Sequence, residues 1–103
     1  MGRITVCSLA AALCFNSPMV SAAPMTCKQL VATCNNGIGA TCMNPVSGVL
    51  QTEVAQGRVC IRSYTWAGLV GILNHWAEEN PTMLGISGWD CMAKALAQAF
   101  PCQ

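Results

Sequence analysis

Eight cysteines stand in this chain of 103 residues, and their placement limits the fold more than any other feature. Cys7 and Cys14 lie in an apolar leader, and Cys27, Cys34, Cys42, Cys60, Cys91 and Cys102 lie in the stretch after it. An even set of six in a short exported chain is the pattern of a disulfide framework, because only an oxidising compartment lets such bonds persist. Zinc is the competing use of cysteine, but the chain has no C-x-x-C pair, and His75, its one histidine, is far from any cysteine in sequence. No metal and no cofactor are therefore expected. A domain of this size buries too little apolar surface to offset its chain entropy, so crosslinks must supply part of the stability.

The leader reads as a signal peptide. Arg3 supplies the short positive region, an apolar run extends from Ile4 to Phe15, and Val20-Ser21-Ala22 forms a small-residue exit. Cleavage is expected after Ala22, which makes 1–22 a signal peptide and 23–103 a single helical, disulfide-rich domain. A membrane-spanning helix needs about 20 apolar residues, more than this run provides. Lipid attachment at Cys14 would need a small residue before it, where Leu13 stands. The mature protein is thus expected in the periplasm or secreted, with no membrane span. Its charges balance, Lys28, Arg58, Arg62 and Lys94 against Glu53, Glu78, Glu79 and Asp90, which gives no electrostatic case for nucleic acid.

Four helices are predicted. Thr26 and Gln29 form a capping box for the first, with Leu30, Val31 and Cys34 on one face and Asn35-Asn36-Gly37 as its end. The second is drawn from Pro45 to Gln56 behind Asn44, carrying Val46, Val49, Leu50 and Val54, with Gly57 as the stop and a kinked start near Ile38 left open. Thr65 caps the third, whose stripe is Trp66, Leu69, Val70, Leu73, Trp76 and Ala77, and Pro81 stops it. Ser87 and Asp90 cap the fourth, whose buried face is read as Trp89, Met92, Ala93, Leu96 and Phe100. The fold class is all-α: a small disulfide-stapled antiparallel helical array of about four helices, packed on Trp66, Trp76, Trp89 and Phe100.

Parts for catalysis are scarce, and no enzyme is expected. His75 falls off the apolar stripe, adjacent Glu78 and Glu79 diverge on a helix, Asp90 serves as a cap, and each cysteine has a bonding partner to choose. Glu78 and Glu79 nevertheless sit in the last turn of a helix, where the backbone dipole disfavours negative charge. Asn80-Pro81-Thr82-Met83-Leu84 follows directly, joining a rigid proline to large apolar side chains. An exposed Met83 and Leu84 would suit a protein contact, and the competing reading folds them onto the core.

The second half resembles a known family. Cys60-Ile61, a Thr65-capped helix with Leu69-Val70, the Asn80-Pro81 stop and the segment Ala95-Leu96-Ala97-Gln98-Ala99-Phe100-Pro101-Cys102 are similar to the Rap/Tai immunity proteins of type VI secretion. Leu30 to Cys34, and Cys42 with Gly48, resemble that family's first two helices more loosely, and Cys27 and Cys91 are additional to its pattern. The resemblance implies a periplasmic all-helical protein that binds a peptidoglycan amidase effector and blocks its cleft without chemistry of its own. Glu78, Glu79, Asn80, Met83 and Leu84 are then the expected partner contacts, and a homodimer stays open.

Order and reach suggest Cys34 with Cys42, Cys60 with Cys102, and Cys27 with Cys91, one of fifteen formal pairings. The chain-entropy account assigns about 4 kcal/mol to the Cys60 bond and about 2.5 to the short Cys34 loop. The alternative function is a saposin-like lipid-binding module, which demands the nested pairs Cys27–Cys102, Cys34–Cys91 and Cys42–Cys60. An acid-stress chaperone has too few carboxylates here to switch on. Another secreted disulfide-rich binding protein, such as an effector or elicitor, remains a further alternative.

Overall fold

The computed structural model describes residues 25–102. The expected signal peptide, 1–22, and its cleavage point lie outside the described residues. Four α-helices follow one another: α1 (Cys27–Asn35), α2 (Ala40–Ala55), α3 (Trp66–Glu79) and α4 (Gly88–Ala99), with a 3-10 turn at Pro81–Met83. The fold is the disulfide-stapled all-α array read from the sequence. Among the described residues no helix is long and apolar enough to cross a membrane. Helix α4 packs against the other three, and α1 also touches α2 and α3, so α2 and α3 lie mainly on separate flanks of α4.

The start of α1 shows why the loop before α4 sits where it does. The first N–H groups of a helix have no partner within it and must find acceptors elsewhere. Cys27 N–H donates to the Ile86 carbonyl at 2.7 Å and Lys28 N–H to the Leu84 carbonyl at 3.0 Å. Gln29 N–H donates to Thr26 Oγ1, and Gln29 Oε1 accepts from Thr26 N–H, closing the predicted capping box. Thr26 and Ser87 form an isolated antiparallel bridge, and Gly88 N–H donates to the Met25 carbonyl at 2.8 Å. Both α1 and α4 therefore start at this bridge. Gly88 eases this approach, because a Cβ would lie a tight 3.2 Å from the Met25 carbonyl oxygen and 3.3 Å from Leu30 Cβ.

Three disulfides close the array: Cys27–Cys91 between α1 and α4, Cys34–Cys42 between α1 and α2, and Cys60–Cys102 between the α2–α3 link and the C-terminal segment. This is the pairing suggested by order and reach. Cys27, Cys34, Cys42 and Cys91 join Leu30, Val46, Val49, Val59, Leu69, Leu73, Met92 and Leu96 in one continuous core, and Cys60–Cys102 lies outside it. Cys60 N–H also donates to the Phe100 carbonyl at 3.0 Å, so the link and the end of α4 are held twice.

The structure corrects the start of α2, the buried face of α4 and the residue buried at the end of α2. Helix α2 starts at Ala40 behind Gly39, five residues before Pro45 and close to the earlier start near Ile38 that the sequence left open, so Pro45 lies inside it. Proline in the second turn deletes one hydrogen bond, a loss offset where the first turn is already pinned through Cys42 to α1. The buried face of α4 is also displaced: Gly88, Cys91, Met92, Ala95 and Leu96 are buried, whereas Trp89 is 46 % exposed. The Cys91 bond and the close backbone approach at Gly88 fix the rotation of α4, and they outweigh the hydrophobicity of Trp89. Trp66 and Phe100 are half-buried against the core, and of the four aromatic residues expected to form it only Trp76 is buried.

The end of α2 differs in the same way. Val54 is exposed and Glu53 is buried. Gly57 adopts φ 74°, Gly57 N–H donates to the Val54 carbonyl and Arg58 N–H to the Glu53 carbonyl, which together make a Schellman motif. Such a motif brings the residue after the glycine onto the helix residue five places earlier. An apolar pair usually fills those two positions; here Arg58 Nε and Nη2 donate to Glu53 Oε1 and Oε2, each at 2.8 Å.

Candidate functional site

The expected contact segment is divided by the structure. Glu78, Glu79, Pro81 and Thr82 are exposed, whereas Met83 and Leu84 are half-buried and pack against the core. The backbone explains this, since the carbonyls of Leu84 and Ile86 are acceptors for the start of α1 and pull the loop inward. Asn80 is committed locally: its Nδ2 donates to the Trp76 carbonyl at 2.8 Å and its N–H to the Ala77 carbonyl, closing α3. Met83 and Leu84 are thus partly covered, as the reading that folds them onto the core expects. The two glutamates remain on the surface.

Glu79 is not merely solvated. Its Oε1 accepts from Gln98 Nε2 at 2.9 Å, and its Oε2 lies 3.2 Å from His75 Nε2 one turn earlier on α3. These two contacts place a carboxylate between α3 and α4 at the C-terminal end of α3, and they oppose the cost of its position against the helix dipole. Glu78 has no such partner among the described residues. His75, read as a surface residue, has a 64 % exposed side chain.

Beside this cluster, α3 and α4 leave a groove of about 320 Å³ lined by Gly68, Gly71, Ile72, Trp76, Ala95 and Ala99, with His75 and Gln98 at its edge. The groove exists because the facing positions carry hydrogen or methyl groups where larger side chains would close the gap. At Gly71 a Cβ would meet nothing within 4 Å. Sequence reasoning passed over these glycines, although two glycines on one helix, three residues apart and off the apolar stripe, were the available signal. The Glu79 carboxylate, bonded to Gln98 and beside His75 of the lining, sits next to the groove and favours a cation there. Among the described residues no three His, Cys, Asp or Glu side chains converge in the manner a metal would require.

The wall of the groove is stiffened from behind. Asn35 at the end of α1 and Asn74 on α3 exchange amide hydrogen bonds of 2.8 and 2.9 Å, and Asn35 Nδ2 also donates to the Val31 carbonyl. This pair locks α3 to α1 between residues 39 positions apart, a relationship that sequence spacing does not display. Compared with protein-family models, with curated proteins and with solved structures, the chain matches none. The three disulfides are compatible with an oxidising compartment outside the cytoplasm.

Proposed function

We propose that this is an exported protein that works by binding: a periplasmic immunity protein that seats on a peptidoglycan amidase effector of type VI secretion and blocks its cleft. The observation that carries the reading is the acid-edged groove between α3 and α4, presented by a scaffold in which Cys27, Cys34, Cys42, Cys60, Cys91 and Cys102 are all bonded. A rigid face loses little entropy when a partner docks. The choice of an amidase effector as partner comes from the resemblance of residues 60–102 to the Rap/Tai proteins. Glu78, Glu79, Asn80, Met83 and Leu84 remain the contact residues read from the sequence, and the groove adds an apolar surface beside them. The nested pairing demanded by the saposin-like alternative differs from the bonds formed in all three pairs.

The test adds the oxidised protein in stoichiometric amount to purified type VI peptidoglycan amidases and follows the release of cleaved stem peptides from purified sacculi. Loss of release with one of these amidases supports the reading. Undiminished release with every amidase, together with lipid recovered on the protein after purification from its producing cell, would replace it with the lipid-binding alternative.

A further inference from the structure

The turn between α1 and α2 carries Asn36-Gly37, and both residues are exposed beside an open hollow of about 540 Å³. We propose that this pair is a self-modification site, at which the Asn36 side chain closes onto the Gly37 amide and reopens as aspartate or isoaspartate. The inference is independent of which partner the protein binds.

The chemistry needs an asparagine side chain that is free to turn and a following backbone nitrogen that is free to attack. Five asparagines lie in the described residues, and four of them lack one or the other. Asn44 and Asn80 precede Pro45 and Pro81, whose nitrogens carry no hydrogen to lose. Asn35 and Asn74 are tied to each other through their amides, and Asn35 also donates to the Val31 carbonyl. Asn36 meets both conditions. Among the described residues its side chain makes no hydrogen bond, and neither does its carbonyl or the Gly37 N–H.

The turn can also reach the geometry of attack. Closure requires a rotation about Asn36 ψ, which stands at 2°. That rotation moves a peptide hydrogen-bonded to nothing, and it leaves Asn36 N–H on the Ala32 carbonyl at 3.1 Å. Gly37, at φ 136°, and Gly39 flank Ile38 and supply the compensating freedom, since a Cβ on either would meet nothing within 4 Å. The Cys34–Cys42 bond therefore joins the two helices without fixing the peptide between Asn36 and Gly37.

In the reaction the Gly37 amide gives its proton to a solvent base, and its nitrogen attacks Asn36 Cγ. A nitrogen–Cγ bond forms, the Cγ–Nδ2 bond breaks, and Nδ2 leaves with a proton as ammonia. Water then adds across one of the two carbonyl–nitrogen bonds of the cyclic imide, giving aspartate by one opening and isoaspartate by the other. The sum consumes one water and releases one ammonia, with no oxidant or reductant. The charges of residues 23–103 balance, so each conversion leaves one net negative charge. It falls at the C-terminal end of α1, where the backbone dipole disfavours it.

The experiment incubates the oxidised protein in mildly alkaline buffer beside the same chain reduced, alkylated and held in denaturant, and follows both by peptide mapping with electron-transfer fragmentation. Asn36 should convert in the folded protein within about tenfold of its rate in the unfolded chain, because the turn opens without releasing the core. Asn35 and Asn74 should stay intact in the folded protein. An acidic species should accumulate on ion exchange and melt below the unmodified fraction. Asn36→Gln, an exposed change whose side chain must close a larger ring, should not form it. Asn36 left intact in the folded protein while the unfolded chain converts, conversion that falls first on Asn35 or Asn74, or an acidic species that melts with the parent would overturn the proposal.

Discussion

Arg58 grips Glu53 with two hydrogen bonds of 2.8 Å at the pair of positions where a glycine-terminated helix ordinarily closes on an apolar contact. The geometry follows from Gly57. Its left-handed backbone turns the chain so that the residue after it returns to the helix, and the ion pair then does what two methyl-bearing side chains would otherwise do.

A pH dependence follows from this pair. The hydrogen bonds from Arg58 hold the Glu53 carboxyl below its ordinary value of 4.5, against the opposing effect of burial. In the unfolded chain the same group takes up its proton at the higher, ordinary value. The pair therefore stabilises the fold fully above pH 4.5, and that contribution disappears as pH falls below 4.5 and through the folded value. Thermal melts at successive pH values should show this acid-side loss in the parent and a flatter profile in Glu53→Gln; superimposable profiles would contradict it.

Gly48 gives a graded test of how Trp89 is seated. Gly48→Ala puts a Cβ at ordinary contact distance, 3.4 Å from the indole, and replaces a poor helix former, so stability should rise by about 1 kcal/mol. Gly48→Leu needs the space that the ring occupies and should displace it into solvent. Denaturant titration reads the first effect, and a red shift of tryptophan fluorescence reads the second.

The three disulfides should differ in accessibility and in worth. Cys27 and Cys91 are fully buried and span 64 residues, which corresponds to about 4 kcal/mol, whereas Cys34–Cys42 spans 8 and corresponds to about 2.5 kcal/mol. Cys60 is exposed and Cys102 half-exposed. Stepwise reduction with alkylation and mass spectrometry should open Cys60–Cys102 first and Cys27–Cys91 only on unfolding. Early labelling of Cys27 would show that the core does not protect it.

Filling the α3–α4 groove should weaken partner binding without unfolding the protein. Gly71→Phe meets no atom within 4 Å at its Cβ and improves helix propensity, so a folded variant is expected. It should lower affinity for an amidase of the kind the protein is proposed to inhibit by about tenfold or more, as the joint change Glu78→Lys with Glu79→Lys should. Inhibition curves that coincide with the parent in both variants would move the contact elsewhere.

Local signals in the sequence were enough to locate the starts of α1, α3 and α4 and to define the class of fold. Thr26, Thr65 and Ser87 cap α1, α3 and α4 as read, because a cap depends only on residues three apart, and six cysteines in about 80 residues imply a crosslinked scaffold wherever the bonds fall. Helix rotation and pairing depended on contacts across the chain. Trp89 is the more hydrophobic choice for burial, yet the bond from Cys91 to Cys27 and the fit of Gly88 against Met25 turn α4 so that Trp89 faces out. Pro45 marks a helix start by local rules, yet the Cys34–Cys42 bond secures the turn before it. Asn35 with Asn74, and the groove whose edge holds Glu79, exist only once α1, α3 and α4 are packed. Local propensities are small energies decided within a turn, whereas the rotation of a helix is set by the disulfides and close contacts that link it to its neighbours, and that information is spread over residues far apart in sequence.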